Sequence, residues 1–341
     1  MSTAVLPGPM DAMPEVRAPR ATASRRTMFD VTRLLAAYSI IWLHTPRSAE
    51  LAGSTVLGRF AVPFFVAATV FFVWQGLIAK PDRDFGSYAW SRFTRIYLPF
   101  LAWSAIYLAF KAAKGVALPD QPNDFPGWEF LWTGSFYHLW FMPFILVVSL
   151  GVFKLGQAVI ERPVLEWLVG FGCLVLGEGI ALWPQGPWFQ GPQLSLIYQA
   201  MPAVFWGVAL SVVVHRCPAK LLETTEAGVL GLLTMAAGLA WLWHFGRNTM
   251  AETTAGIGCT VVALAPWSNR LLQAVGRFGP LAYGIYLSHL LFIKTAESVL
   301  AKLGAGPSAS VDVAVFLVAV VGSTSLAWSL SQSRYTRWLA A

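Results

Sequence analysis

Long apolar runs, following one another with short polar breaks, constrain this chain more than any other feature. They fall at residues 29–45, 59–79, 94–113, 138–160, 164–182, 196–215, 226–245, 251–267, 278–299 and 311–331. A helix needs about 20 apolar residues to cross the hydrocarbon core of a bilayer. Most of the runs reach that length; the first and eighth are shorter. In lipid, every backbone N–H and C=O must be satisfied within the protein, which excludes lone strands and open sheets. Composition agrees. Hydrophobic residues make up 56% of the chain and charged residues 12%, about half the charged share of a soluble domain. The expected fold is an all-α polytopic membrane protein with about ten transmembrane helices.

The net charge of +7 bears on topology. With the N-terminus in the cytoplasm, sixteen of the 24 lysines and arginines fall on the inner side and seven on the outer. Omitting the eighth run weakens this asymmetry. The positive-inside rule therefore predicts that both termini are cytoplasmic, and no nucleic-acid partner is expected. Residues 1–28 are rich in Pro, Ala and Arg and read as a disordered cytoplasmic tail. Residues 29–331 form the membrane unit, and 332–341 a short cytoplasmic tail. Cys173, Cys217 and Cys259 have neither metal-ligand nor redox spacing, so no metal site is expected. No phosphate-binding loop, dinucleotide fingerprint or internal repeat is present. Two outer connections are aromatic and Pro-rich, at 120–137 and 183–192. They suit an interfacial aromatic belt, or a lid and sugar-stacking wall.

Polar groups inside the apolar runs narrow the function. Arg33 and His44 are eleven residues apart in the first run. Eleven steps of 100° make three turns plus roughly 20°, so both lie on one helix face about 16 Å apart. Ionisable groups at membrane depth usually face a bundle interior or a water-filled cavity. A cation and a titratable imidazole on one stripe predict a polar conduit with a charged end and a reactive end, His44 serving as general base. Arg92 and Arg95, one turn apart, suit a phosphate clamp at the cytoplasmic mouth, although ordinary positive-inside anchoring also places arginines there. Tyr97 and the helix-kinking Pro99 follow them. His138 and Trp140, at the outer entrance of the fourth run, fit an interfacial anchor or a hydrogen-bonding, stacking hold on an acceptor. Tyr283, Tyr286 and His289 recur at i, i+3 spacing and line a cavity in this reading. Glu178, deep in the fifth run, needs a partner or a proton. His215, His244 and Glu297 lie near run ends and read as interfacial.

Together these features resemble the integral-membrane acyltransferase family 3, whose members O-acylate sugars of cell-surface glycans. The resemblance covers most of residues 28–331. It rests on the Arg33-to-His44 spacing, Arg92-Phe-Thr-Arg95, His138-Leu-Trp140-Phe141 and Tyr283-Gly-Ile-Tyr286-Leu-Ser-His289. The second run departs from the family's pattern: Phe71-Phe72 is followed by Trp74-Gln75-Gly76 where relatives carry a serine-glycine. The resemblance implies transfer of an acyl group, by default acetyl, from acyl-CoA to a hydroxyl of a carbohydrate or lipid-linked glycan. Acyl-CoA is then a donor substrate, with no permanently bound cofactor. Arg33 and His44 would be catalytic, and Arg92 and Arg95 would hold the nucleotide. His138, Trp140, Tyr283, Tyr286, His289 and Glu178 would contact substrate. The setting is a multi-pass cell membrane, of the bacterial inner-membrane type, with membrane lipid as a further partner. No serine or cysteine is clearly paired with a base, which favours direct transfer over a protein-bound acyl intermediate, with an acyl-histidine relay as the alternative. A proton-coupled transporter or lipid-linked sugar flippase also suits intramembrane Arg, His and Glu. The paired broken helices common in transporters are not found.

Overall fold

A computed structural model describes residues 27–117, 127–183, 191–217 and 221–340, and all regular structure among them is helical. The expected N-terminal tail lies almost wholly outside the described residues, as do most of the 183–192 connection and the first part of the 120–137 connection. The longer helices are α1 Thr27–His44, α2 Ala61–Ala79, α3 Phe85–Arg92, α4 Leu98–Ala117, α5 Phe141–Val159, α6 Pro163–Leu182, α7 Pro192–Arg216, α8 Thr225–Phe245, α9 Thr249–Leu264, α10 Ala282–Lys302 and α11 Ala309–Gln332. Every apolar run of the sequence is mainly helical.

Among the described residues, seven helical stretches are long and apolar enough to cross a membrane: Ala49–Ala79, Phe85–Val116, Tyr137–Val159, Pro163–Leu182, Pro192–Arg216, Thr225–Phe245 and Ala309–Gln332. The ten expected runs include three more helices, α1, α9 and α10, that fall short for identifiable reasons. Helix α9 has only 16 residues. The other two carry the polar groups, Asp30, Arg33 and His44 in α1 and Tyr283, Tyr286, Ser288 and His289 in α10. These polar helices are central. Helix α1 packs against α2, α9 and α10, and α2 packs in turn against α5, α7 and α9. The greasiest faces point outward: only 22% of the most apolar stretch is buried in α8 and in α11, against 61% in that of Ala49–Ala79. Apolar surface turned to lipid and polar groups turned to the bundle interior are what a bilayer solvent selects.

Three polar knots fix the helices. Glu166, fully buried, accepts from Trp74 Nε1 at 3.0 Å, lies 2.8 Å from His215 Nδ1 and pairs with Arg216. His215 therefore serves an internal ion network joining α2, α6 and α7, where its position near a run end had pointed to an interface. Glu252 takes Arg59 at 3.4 Å and Arg247 at 3.3 Å near the opposite ends. Asp312, in the first turn of α11, accepts the backbone N–H groups of Arg47 and Ser48 at 2.9 and 3.0 Å and the Ser48 hydroxyl at 2.5 Å. That carboxylate clasps the turn that follows His44. The C-terminal segment is also docked: Trp103 Nε1 donates to Leu339 O at 3.0 Å and Ala340 is buried.

Candidate active site

Arg33, Arg92 and Arg95 line one cavity of about 510 Å³. Three elements bring them together. The first is the N-terminal half of α1, where Asp30 occupies the first turn and favours the helix N-terminus. The second is the junction of α3 and α4. Asp84 caps α3 by accepting from Ser87 N at 2.7 Å, and residues Phe93–Tyr97 then form a single π-turn, in which Leu98 N–H donates to Phe93 O. Single π-turns inside helices are frequent at functional sites. The α-helical spacing expected for Arg92 and Arg95 does not apply within this turn, yet both side chains still reach the cavity. The third is the start of α10. Gly279 abuts α1 so closely that an added Cβ would lie 2.7 Å from Asp30 Cα. That contact seats Tyr283 beside Arg33's helix.

Aromatic and aliphatic groups complete the wall, among them Phe72, Ile96, Phe141, Met142, Tyr283 and Tyr286. Arg33 sits 3.7 Å from Asp30 and 5.8 Å from the centroid of Phe29, and Arg92 lies 5.0 Å from that of Tyr88. Among the described residues neither Arg92 nor Arg95 pairs with a carboxylate. Three guanidinium groups over an apolar, aromatic wall suit a multiply charged anion with an apolar extension.

Beyond Tyr286 lies a cluster of imidazole rings. His44 stacks on His289, with centroids 5.5 Å apart and planes at 22°, and meets Tyr137 at 5.2 Å. His138 stands edge-on to His289 at 5.1 Å and to Tyr286 at 5.6 Å. Tyr137 Oη is 3.3 Å from His44 Nδ1. Tyr107 donates to Leu287 O at 2.8 Å and packs on His138. His289 Nδ1 lies 2.6 Å from the Tyr286 carbonyl. A carbonyl only accepts, so Nδ1 carries the proton and Nε2 presents its lone pair. His289 Nε2 and both ring nitrogens of His138 are buried without hydrogen-bond partners. The cluster opens at one end: Tyr137 is 45% exposed and His44 half-buried, whereas His138 and His289 are buried.

The conduit expected between Arg33 and His44 is interrupted. Phe141 and Tyr286 belong to the cavity wall, whereas His44, His138 and His289 do not line it. The ring of Tyr286 is the partition. One side lines the cavity, the other meets His138 and His289, and its hydroxyl donates to the His138 carbonyl. The structure thus brings together Arg33, Arg92, Arg95, Tyr283 and Tyr286 on one side, and His44, His138 and His289 on the other.

Two expected residues are elsewhere. Trp140 is buried against Phe141 and Phe144 and does not line the cavity. Glu178 lines a separate cavity of about 280 Å³ with Trp206, Met250 and Thr253, because its face of α6 turns toward α7, α8 and α9. Sequence reasoning missed Tyr107, Tyr137 and Asp312. Tyr137 adjoins His138 in the same motif and was within reach; the other two are brought in by distant helices. Among the described residues no group of His, Cys, Asp or Glu is arranged to hold a metal ion.

Comparison with known proteins gives a match to a protein family. The family model described as an acyltransferase domain covers residues 27–331. No curated protein and no solved structure gives a significant match.

Proposed function

We propose, because this chain belongs to the acyltransferase family 3, that it moves an acyl group from a coenzyme A thioester to a carbohydrate hydroxyl. Membership and the apolar helices make it a multi-pass membrane acyltransferase. Donor, acceptor and residue roles are our reading. The observation that supports it is the convergence of Arg33, Arg92 and Arg95 on one cavity, one of whose wall residues, Tyr286, touches the histidine cluster. In this reading all ten helical runs cross the bilayer, both termini are cytoplasmic and the membrane is a bacterial inner membrane. The arginines then face the cytoplasm, where acyl-CoA is made, and Tyr137 and His44 face the opposite side.

The guanidinium groups grip the phosphates of the donor by charge-assisted hydrogen bonds. The acyl-pantetheine arm extends along the aromatic wall to Tyr286, whose ring must turn aside for the thioester to meet His44. The acceptor, a glycan or lipid-linked sugar, enters past Tyr137. His44 takes the proton of the acceptor hydroxyl as its oxygen attacks the thioester carbonyl. The C–S bond breaks, and the departing thiolate takes up the proton from the His44 imidazolium. Among the described residues the histidine side chains bond to Tyr137, Glu166 and the Tyr286 carbonyl, never to a serine or cysteine. Direct transfer fits that arrangement better than an acyl-serine or acyl-cysteine intermediate.

The test is release of free coenzyme A from labelled acetyl-CoA by the purified protein, offered a panel of glycans and lipid-linked sugars. Release that depends on an acceptor, with label appearing on it, is the expected result. Intact thioester with every acceptor would overturn the assignment in favour of a carrier.

A further inference from the structure

The π-turn at Phe93–Tyr97 places Arg95 at the cavity, and the chain immediately after it is chemically incomplete. Pro99 has no N–H. The carbonyl four residues earlier, which a regular helix would pair with that N–H, belongs to Arg95. The hydroxyl of Tyr283, from α10, donates to this carbonyl at 3.3 Å. The other flank of the turn is tethered as well, since Tyr97 Oη donates to Leu131 O at 3.1 Å. A non-α turn held from two neighbouring elements keeps the backbone that carries Arg95 in one place. Arg95 itself is exposed and without an ion pair among the described residues, so its backbone setting decides where its guanidinium points.

We propose that Tyr283 is a positioning residue. Its hydroxyl supplies the hydrogen bond that Pro99 withholds from the Arg95 carbonyl, and so aims Arg95 at the donor anion. This rests on the reading of Arg95 as a phosphate-binding group, and it replaces the expectation that the Tyr283 hydroxyl contacts substrate. The two roles differ in one consequence. If the hydroxyl serves the Arg95 carbonyl, another donor to that carbonyl restores function, and Pro99→Ala provides an N–H at the right place. If the hydroxyl touches the donor, Pro99→Ala restores nothing.

The experiment measures coenzyme A binding by calorimetry to the full-length protein in lipid nanodiscs, without an acceptor. Tyr283→Phe is expected to raise Kd about three- to tenfold, the worth of one hydrogen bond. The double variant Tyr283→Phe/Pro99→Ala is expected to return within about twofold of the parent. A double variant as weak as the single overturns the proposal, as does a Tyr283→Phe protein that binds like the parent. Arg95→Ala, measured beside them, separates the two levels of the argument. No loss of affinity in Arg95→Ala defeats the phosphate-clamp reading. A clear loss there, with Tyr283→Phe unaffected, defeats only the positioning role. Thermal unfolding of each variant provides the folding control, and Pro99→Ala alone shows whether the added N–H is tolerated.

Discussion

The arginine cavity and the histidine cluster sit back to back on the two sides of Tyr286, and they are built on opposite plans. The cavity is roomy, walled by aromatic carbons, and its Arg92 and Arg95 have no carboxylate partner among the described residues. The cluster is tight, with neighbouring rings 5.1 to 5.6 Å apart at the His44–His289, His138–His289 and His138–Tyr286 contacts and three ring nitrogens buried without partners. Cations without counter-ions are ready for an anion that arrives and leaves. Buried nitrogens left unpaired each cost about 1–3 kcal/mol, a penalty relieved when a hydroxyl or water enters. In the proposed reading this difference matches a cavity that holds the donor and a cluster that receives the acceptor hydroxyl. Variants on the two sides should therefore fail in different ways.

The largest effect belongs to the cluster. His44→Ala is expected to lower acceptor-dependent coenzyme A release about 10²- to 10⁴-fold, with the affinity for acetyl-CoA nearly unchanged. A His44→Ala enzyme retaining more than a tenth of the parent rate would remove the general base from the scheme. The cavity side should respond in KM. Arg92→Ala is expected to raise the KM for acetyl-CoA about tenfold or more, the worth of a charge-assisted contact. Arg47→Ala, which removes an ion pair with Glu297 3.1 Å away, should shift it less than about twofold. Equal shifts in the two variants would sink the phosphate clamp. The smallest effect is expected from Glu178→Gln, whose side chain lines the other cavity. Its release rate should stay within about twofold of the parent, as for sites that share no partners; a large loss would tie that second cavity to the reaction.

Much of this was legible in the sequence because the bilayer enforces simple rules. Apolar length located the helices, and the ionisable groups in or beside the apolar runs singled out residues that line the larger cavity. Arg33, Arg92, Arg95 and Tyr283 do line one cavity, but for Arg92 and Arg95 the π-turn, not α-helical spacing, brings this about. Periodicity does not report side-chain size at an inter-helix contact, and so the conduit seemed open where Tyr286 closes it. Glu178 misled for a related reason. An acid at membrane depth signals an interior face, but the spacing along α6 does not say which neighbours that face meets. The π-turn was hidden too: Pro99 signals a kink, but nothing in Phe93–Tyr97 tells a π-turn from ordinary helix. Asp312 lies 268 positions after His44, and only the packing of α11 brings it to the turn behind the imidazole.

That clasp has a consequence for biosynthesis. The carboxylate that pins the segment behind His44 is synthesised after the arginines and histidines on both sides of Tyr286, so a nascent chain ending before α11 holds all of these residues yet lacks the pin. In the proposed scheme the turn behind the imidazole is set only once α11 packs, which would keep half-made protein from consuming donor while the bundle is still assembling.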